Sequence, residues 1–94
     1  MTRILEIIDQ LGKNVYLTKE RWSHIQKHPE MTNATERIRE TLEKPDRTET
    51  IDTTEKVIFY FKHYKSRKQY LFVSVKYLNG EGFIITSFYT DKIK

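Results

Sequence analysis

Cysteine is absent, which removes disulfides, thiol nucleophiles and thiolate metal sites at once. Glycine and proline are scarce, at three and two residues, and there is no repeat or low-complexity tract. Nothing marks a flexible linker, so residues 1–94 are expected to form one domain. No apolar run approaches the ~18–20 residues of a membrane span. The N-terminal stretch also lacks the hydrophobic segment of a secretory signal. A soluble protein of a reducing, cytoplasmic compartment is expected, with no membrane partner.

A hydrophobic content of 37% beside 32% charged residues would suit a disordered chain. The rings argue otherwise: one Trp, six Tyr and five Phe supply enough area to bury. The formal charge of +4 is unevenly placed. Residues 1–51 balance nine basic against nine acidic side chains, whereas residues 52–94 hold eight basic and four acidic ones. A positive field there raises encounter with polyanions such as nucleic acid. A modest net charge also serves plain solubility.

Ile4–Ile8 is apolar except for Glu6 and reads as a short strand or a helical turn. Gly12 permits a turn, and Val15–Leu17 is extended. Thr18 suits the N-cap of a helix from Lys19 to about Lys27, with Glu20 in its first turn. Pro29 disfavours helix at His28 and ends that run. Asn33 with Glu36 makes a capping box for a second helix, with Thr32 as a competing cap. Ala34, Ile38 and Leu42 line its apolar face, and Pro45 stops it. Thr48–Thr50 begins an extended segment.

Val57–Tyr64, Tyr70–Tyr77 and Phe83–Tyr89 are rich in β-branched and aromatic residues and predict strands. Lys65–Lys68 joins the first pair, and Asn79-Gly80 supplies the positive φ values of a hairpin between the second pair. Short connections impose antiparallel neighbours. The elements predict an α+β domain: two N-terminal helices packed on one face of a three- to four-stranded antiparallel meander.

On the first helix, Arg21, His24 and His28 fall three and four residues apart and share one stripe. Trp22 and Ile25 border it and face the core. Imidazole titrates near neutrality, so two of them beside an arginine can supply a general base, a general acid and phosphate-binding charge. Surface or capping histidines are the simpler alternative, His28 then serving the helix C-terminal dipole. Metal binding through His24, His28 and Glu30 finds no further ligand nearby, so no metal or other cofactor is expected. Among the strands, Lys62, His63, Lys76, Thr86, Ser87 and Tyr89 interrupt apolar sequence. Alternation groups Thr86 with Ile84 and Phe88, and Ser87 with Ile85 and Tyr89, without saying which set faces the helices. Tyr60, Tyr64, Tyr70 and Tyr77 could stack bases on an exposed sheet face or pack inside.

The segment from Leu17 to Glu30, with Arg21-Trp22-Ser23-His24-Ile25 and His28-Pro29-Glu30, resembles the N-terminal helix of phage-type barnase–EndoU–colicin–RelE-like (BECR fold) nucleases. Leu42-Glu43-Lys44-Pro45-Asp46, Phe59-Tyr60-Phe61, Leu71–Lys76 and the last strand Gly82–Tyr89 follow in that group's order. The resemblance spans roughly residues 14–94. It implies a RelE- or barnase-like fold and a metal-independent endoribonuclease, a hydrolase found as a toxin of toxin–antitoxin pairs or in a phage-associated setting. It places catalytic roles on Arg21, His24, His28 and Thr86. RNA-binding roles fall to Lys62, Lys76 and Tyr89, joined by Lys65, Arg67 and Lys68 of the basic turn. Implied partners are RNA and an acidic antitoxin or immunity protein. In the expected reaction His24 takes the ribose 2′-OH proton and His28 protonates the leaving 5′-oxygen, while Arg21 with Lys62 or Lys76 stabilises phosphate charge and Thr86 positions a phosphate oxygen. The alternative is an RNA- or protein-binding module of the same fold without catalysis.

Overall fold

A computed structural model describes residues 2–52 and 56–93. The chain forms strands β1 (Arg3–Ile8) and β2 (Asn14–Thr18), helix α1 (Lys19–Ile25), a 3-10 turn (Pro29–Met31) and helix α2 (Thr35–Glu43). Strands β3 (Arg47–Asp52), β4 (Val57–Tyr64), β5 (Gln69–Leu78) and β6 (Glu81–Thr90) follow. All six strands join one sheet in the order β1-β2-β6-β5-β4-β3. The expected three- to four-stranded meander with leading helices is therefore incorrect. A β-hairpin precedes the helices, and β2 pairs with β6 in parallel, which makes the sheet mixed. Ile4–Ile8 resolves as strand because alternation sends Leu5 and Ile7 to the core and leaves Ile4 and Ile8 exposed. Among the described residues, no helix is long and apolar enough to cross a membrane.

The two faces of the sheet differ. Ile7, Val15, Leu17, Tyr60, Leu71, Val73, Val75, Tyr77 and Ile84 meet Ile25, Met31, Ala34, Ile38 and Leu42 in a continuous core. The spacing of Ala34, Ile38 and Leu42 thus does pin α2 to the sheet. Full burial of an aliphatic side chain stabilises by ~1.5–3 kcal/mol. The cap differs from expectation: Ala34 occupies the N-cap of α2 and no side chain accepts from its first turn. Helix α1 ends at Ile25, two residues early. Lys27 N–H and His28 N–H then bond His24 and Ile25 carbonyls in tighter, three-residue turns.

Pairing of β2 with β6 covers only Asn14–Tyr16 against Glu81–Phe83. Beyond Phe83, β6 bonds β5 on one side, and α1 packs against β6 in place of a further strand. The change from β2 to α1 is set at Thr18, whose side chain accepts from Arg21 N–H at 3.2 Å. This geometry lays the Arg21–His28 segment along the border of the sheet. The second hairpin turn forms as expected, with positive φ at Asn79 (54°) and Gly80 (81°).

A polar cluster is sealed into the end of the core. Asp9 is 5% exposed. Its Oδ1 accepts from Leu11 N–H and Lys13 N–H, both at 2.9 Å, and its Oδ2 accepts from Tyr77 OH at 2.6 Å. Tyr60 OH pairs with Tyr77 OH and lies 3.5 Å from Asp9 Oδ2. Burial pushes the Tyr60 phenol up to about 12. Tyr77 is raised as well, by burial and by its bond to Asp9. The cluster ties the β1–β2 turn to β4 and β5.

Candidate functional site

The face of the sheet turned away from α2 carries rings where the sequence suggested cations. Phe59 and Phe61 of β4, Phe72 of β5 and Phe88 of β6 stand side by side there. Phe72 meets Phe59 edge-on at 4.8 Å, Phe61 at 5.4 Å and Phe88 at 4.8 Å between centroids. They floor a groove of about 310 Å³ that Glu49, Thr90 and Lys92 close at its rim. Tyrosines do not supply this surface. Tyr60 and Tyr77 are buried with Asp9, and Tyr64 lies on the α2 face, where its OH donates to Glu40 at 2.6 Å. Tyr70 alone of the four proposed stacking tyrosines shares the open face, edge-on to His63 at 4.9 Å.

Arg21, His24 and His28 are all exposed. Arg21 lines a recess of about 250 Å³ with Tyr16, Thr18, Glu20 and Phe83. At the other end the His28 ring lies 6.1 Å from Phe88. The segment therefore borders the open face from Phe83 to Phe88. Thr86 belongs to that face too. It stands opposite Ser74, two residues from Phe88, while Ser87 points inward and donates to the Phe72 carbonyl at 2.8 Å. Simple alternation failed here because a bulge intervenes. Ile84 pairs with Val75 and Thr86 with Ser74, so Ile85 is the extra residue and Ile84 is buried on the opposite face from Thr86.

The other candidates disperse. Lys76 lies on the open face opposite Phe83. Lys62 turns to the α2 face, where its ammonium donates to the Lys44 carbonyl at 2.9 Å. Lys65, Arg67 and Lys68 sit in the exposed β4–β5 turn. Tyr89 points away from Thr86, accepting from Arg37 Nη1 at 3.0 Å. The basic side chains of the second half thus gather on no single surface, and two residues counted in its charge, Glu55 and Lys94, lie outside the described residues. Among the described residues, no three His, Cys, Asp or Glu side chains are placed to hold a metal ion.

The chain matches no family model, no curated protein and no solved structure.

A further cation, Arg37, was not among the residues expected at the site. Arg37 occupies the third position of α2, where positive charge opposes the helix dipole. That misplacement was the available signal. The guanidinium lies 4.4 Å over the Tyr64 ring and donates to Tyr89 and to Ser66 Oγ at 3.3 Å. Arg67 stacks on the other side of the cluster, 4.1 Å over Tyr89. Glu30, between the two regions, lies 3.9 Å from His28 Nδ1.

Proposed function

We propose that the protein binds single-stranded RNA across the open sheet face and cleaves it by internal transesterification at the Arg21–His24–His28 border. The observation that carries the reading is the contact of His28 with Phe88. It sets an imidazole at the margin of an aromatic floor, with Thr86 on the same face. Rings take up bases of any sequence by stacking, worth ~1–3 kcal/mol per base. A base held at Phe88 would bring its ribose and phosphate toward the histidine border.

The chemistry divides between two imidazoles. His24 removes the 2′-OH proton, and the oxygen attacks the adjacent phosphorus. The bond to the 5′-oxygen breaks as His28 supplies a proton to it, leaving a 2′,3′-cyclic phosphate. Arg21 offsets the charge that develops on the phosphoryl oxygens, and the Thr86 hydroxyl donates to one of them. DNA lacks the nucleophile and is not a substrate. Each acid or base is worth ~10²–10⁴-fold.

The test is digestion of RNA in EDTA. Cleavage of an all-RNA strand is expected, with a matched 2′-deoxy strand left intact. Loss of at least ~10²-fold is expected in the His24→Ala/His28→Ala variant. Equal cleavage of both strands, or full activity in that variant, refutes the mechanism.

A second reading is RNA binding without cleavage. The groove at Phe59, Phe61 and Phe72 favours it, because those rings extend across β5 and β4, away from His24 and His28. Salt-sensitive binding of RNA with no product formed would select it.

A further inference from the structure

We propose that the pocket between Arg37, Arg67 and Tyr89 is a phosphate subsite for the RNA strand, lying beside the His28 end of the reactive border. The assignment rests on the RNA reading above. The pocket measures about 380 Å³ and is bounded by Pro29, Glu30 and Asn33 on one side and by the two arginines and Tyr89 on the other.

The arginines divide by the partners they have. Arg3 pairs with Glu6 and Glu81, Arg39 with Glu36, and Arg47 with Glu49. Among the described residues Arg21, Arg37 and Arg67 pair with no carboxylate. The arginines left without acidic partners are the one on the reactive border and the two in this pocket. Arg37 and Arg67 repel one another across Tyr89, and Glu30 is the one carboxylate among the residues lining their pocket, so an anion entering between them is favoured.

The two pocket arginines are also fixed in orientation. Arg37 is oriented by Tyr89 OH, Ser66 Oγ and the Tyr64 ring, and Arg67 by the face of Tyr89. A guanidinium carries five N–H donors, so two bonds leave three on Arg37 for a ligand. Both groups are thus held in place by neutral partners, and the pocket lining sets these two cations against one carboxylate, Glu30. Planar forks of this kind suit phosphate oxygens.

The pocket also adjoins the reactive border. Pro29 and Glu30, which line the pocket, directly follow His28 in the chain. Phe88 and Tyr89 are adjacent in β6 and point to opposite faces, one toward His28 and the other toward Arg67. A strand bound on the rings and passing around Pro29 would carry a phosphate into the pocket. An isolated phosphate or an acidic peptide makes no use of that continuity.

The experiment follows the arginine Nε–H signals by nuclear magnetic resonance during titration with inorganic phosphate, then with a 2′-O-methyl tetranucleotide that cannot undergo transesterification. Saturable shifts at Arg37 and Arg67 are expected with both. In Arg67→Ala, an exposed position, oligonucleotide affinity should fall about tenfold, and the slope of log K against log salt should decrease by ~0.7, the value for one phosphate on a single strand. Arg37→Lys should weaken binding while keeping the salt slope. Unmoved arginine signals overturn the proposal. So does an unchanged oligonucleotide affinity and slope in Arg67→Ala, even where phosphate itself binds. Stronger binding of a phosphoserine or polyglutamate peptide than of the oligonucleotide overturns the RNA assignment. None of these readouts involves cleavage, so a protein that binds the modified strand here but cuts no RNA refutes the transesterification reading and leaves the subsite standing.

Discussion

Replacing Tyr77 by Phe removes one hydroxyl from the sealed Asp9 cluster and keeps the ring volume. Asp9 Oδ1 retains both backbone donors, but Oδ2 loses its 2.6 Å bond and is left with Tyr60 OH at 3.5 Å. A hydrogen bond to an ionised group contributes ~1.5–3 kcal/mol net. Tyr60 can recover part of it, since the substitution frees its own hydroxyl to turn toward Asp9. A loss of about 2 kcal/mol is expected, large beside the ~5–15 kcal/mol total stability of a typical domain. For a chain of this size that corresponds to a drop of roughly 8–16 °C in Tm. Urea unfolding at neutral pH measures it, as a lower midpoint with unchanged slope. Tyr70→Phe, on the open face, is the control. A loss under ~0.5 kcal/mol, or one no larger than the control's, would show that Asp9 is not held through Tyr77.

Further expectations concern other parts of the molecule. Gly82→Ala places a Cβ 2.8 Å from both Tyr77 Cε2 and Val75 Cγ1. Overpacking of this kind costs ~1–3 kcal/mol, readable in the same unfolding assay, and wild-type stability would contradict the packing. Alkaline titration should destabilise the fold. The Tyr60 and Tyr77 phenols are raised above their unfolded value of ~10, so stability holds to about pH 10 and falls as pH rises toward 12. The slope is at most ~1.4 kcal/mol per pH unit for each phenol, and a flat profile between pH 9.5 and 11.5 would refute it. Phe59→Ala, at a half-buried ring of the groove, should weaken single-stranded RNA binding by ~1–3 kcal/mol. Unaltered affinity in a fluorescence anisotropy titration would remove that ring from the binding surface.

Local pattern made much of this fold legible. The three long strands, the Asn79-Gly80 turn and the Ala34–Ile38–Leu42 face all follow from residue spacing, and each is set by neighbours in sequence. The missed features depend on distant partners. The β2–β6 ladder joins only three residue pairs, too few to leave a periodic trace. The bulge at Ile85 inverts the apparent kinship of Ile84 and Thr86, because pairing to β5 decides which residue is extra. Tyrosines and phenylalanines are interchangeable to a pattern of rings. The buried carboxylate of Asp9 draws Tyr60 and Tyr77 inward, while the open face takes Phe59, Phe61, Phe72 and Phe88 together with Tyr70. For the candidate site, helical spacing joins Arg21 and His24 on α1 but not His28, which lies beyond the helix end at Ile25 in extended backbone, and Arg37 is marked only by its opposition to the dipole of α2.

The parallel ladder between β2 and β6 also orders events in time. Asn14 and Glu81 meet across 67 residues of chain. At ~5–20 residues per second, a ribosome takes roughly 3–13 s to make that interval. Until β6 is made, the residues of α1 have no β6 to pack against and His28 has no Phe88. The imidazoles are synthesised early, but the surface that would present a strand to them arrives last. Any activity that depends on both halves of this border is withheld from the nascent chain and begins only when β6 closes the sheet.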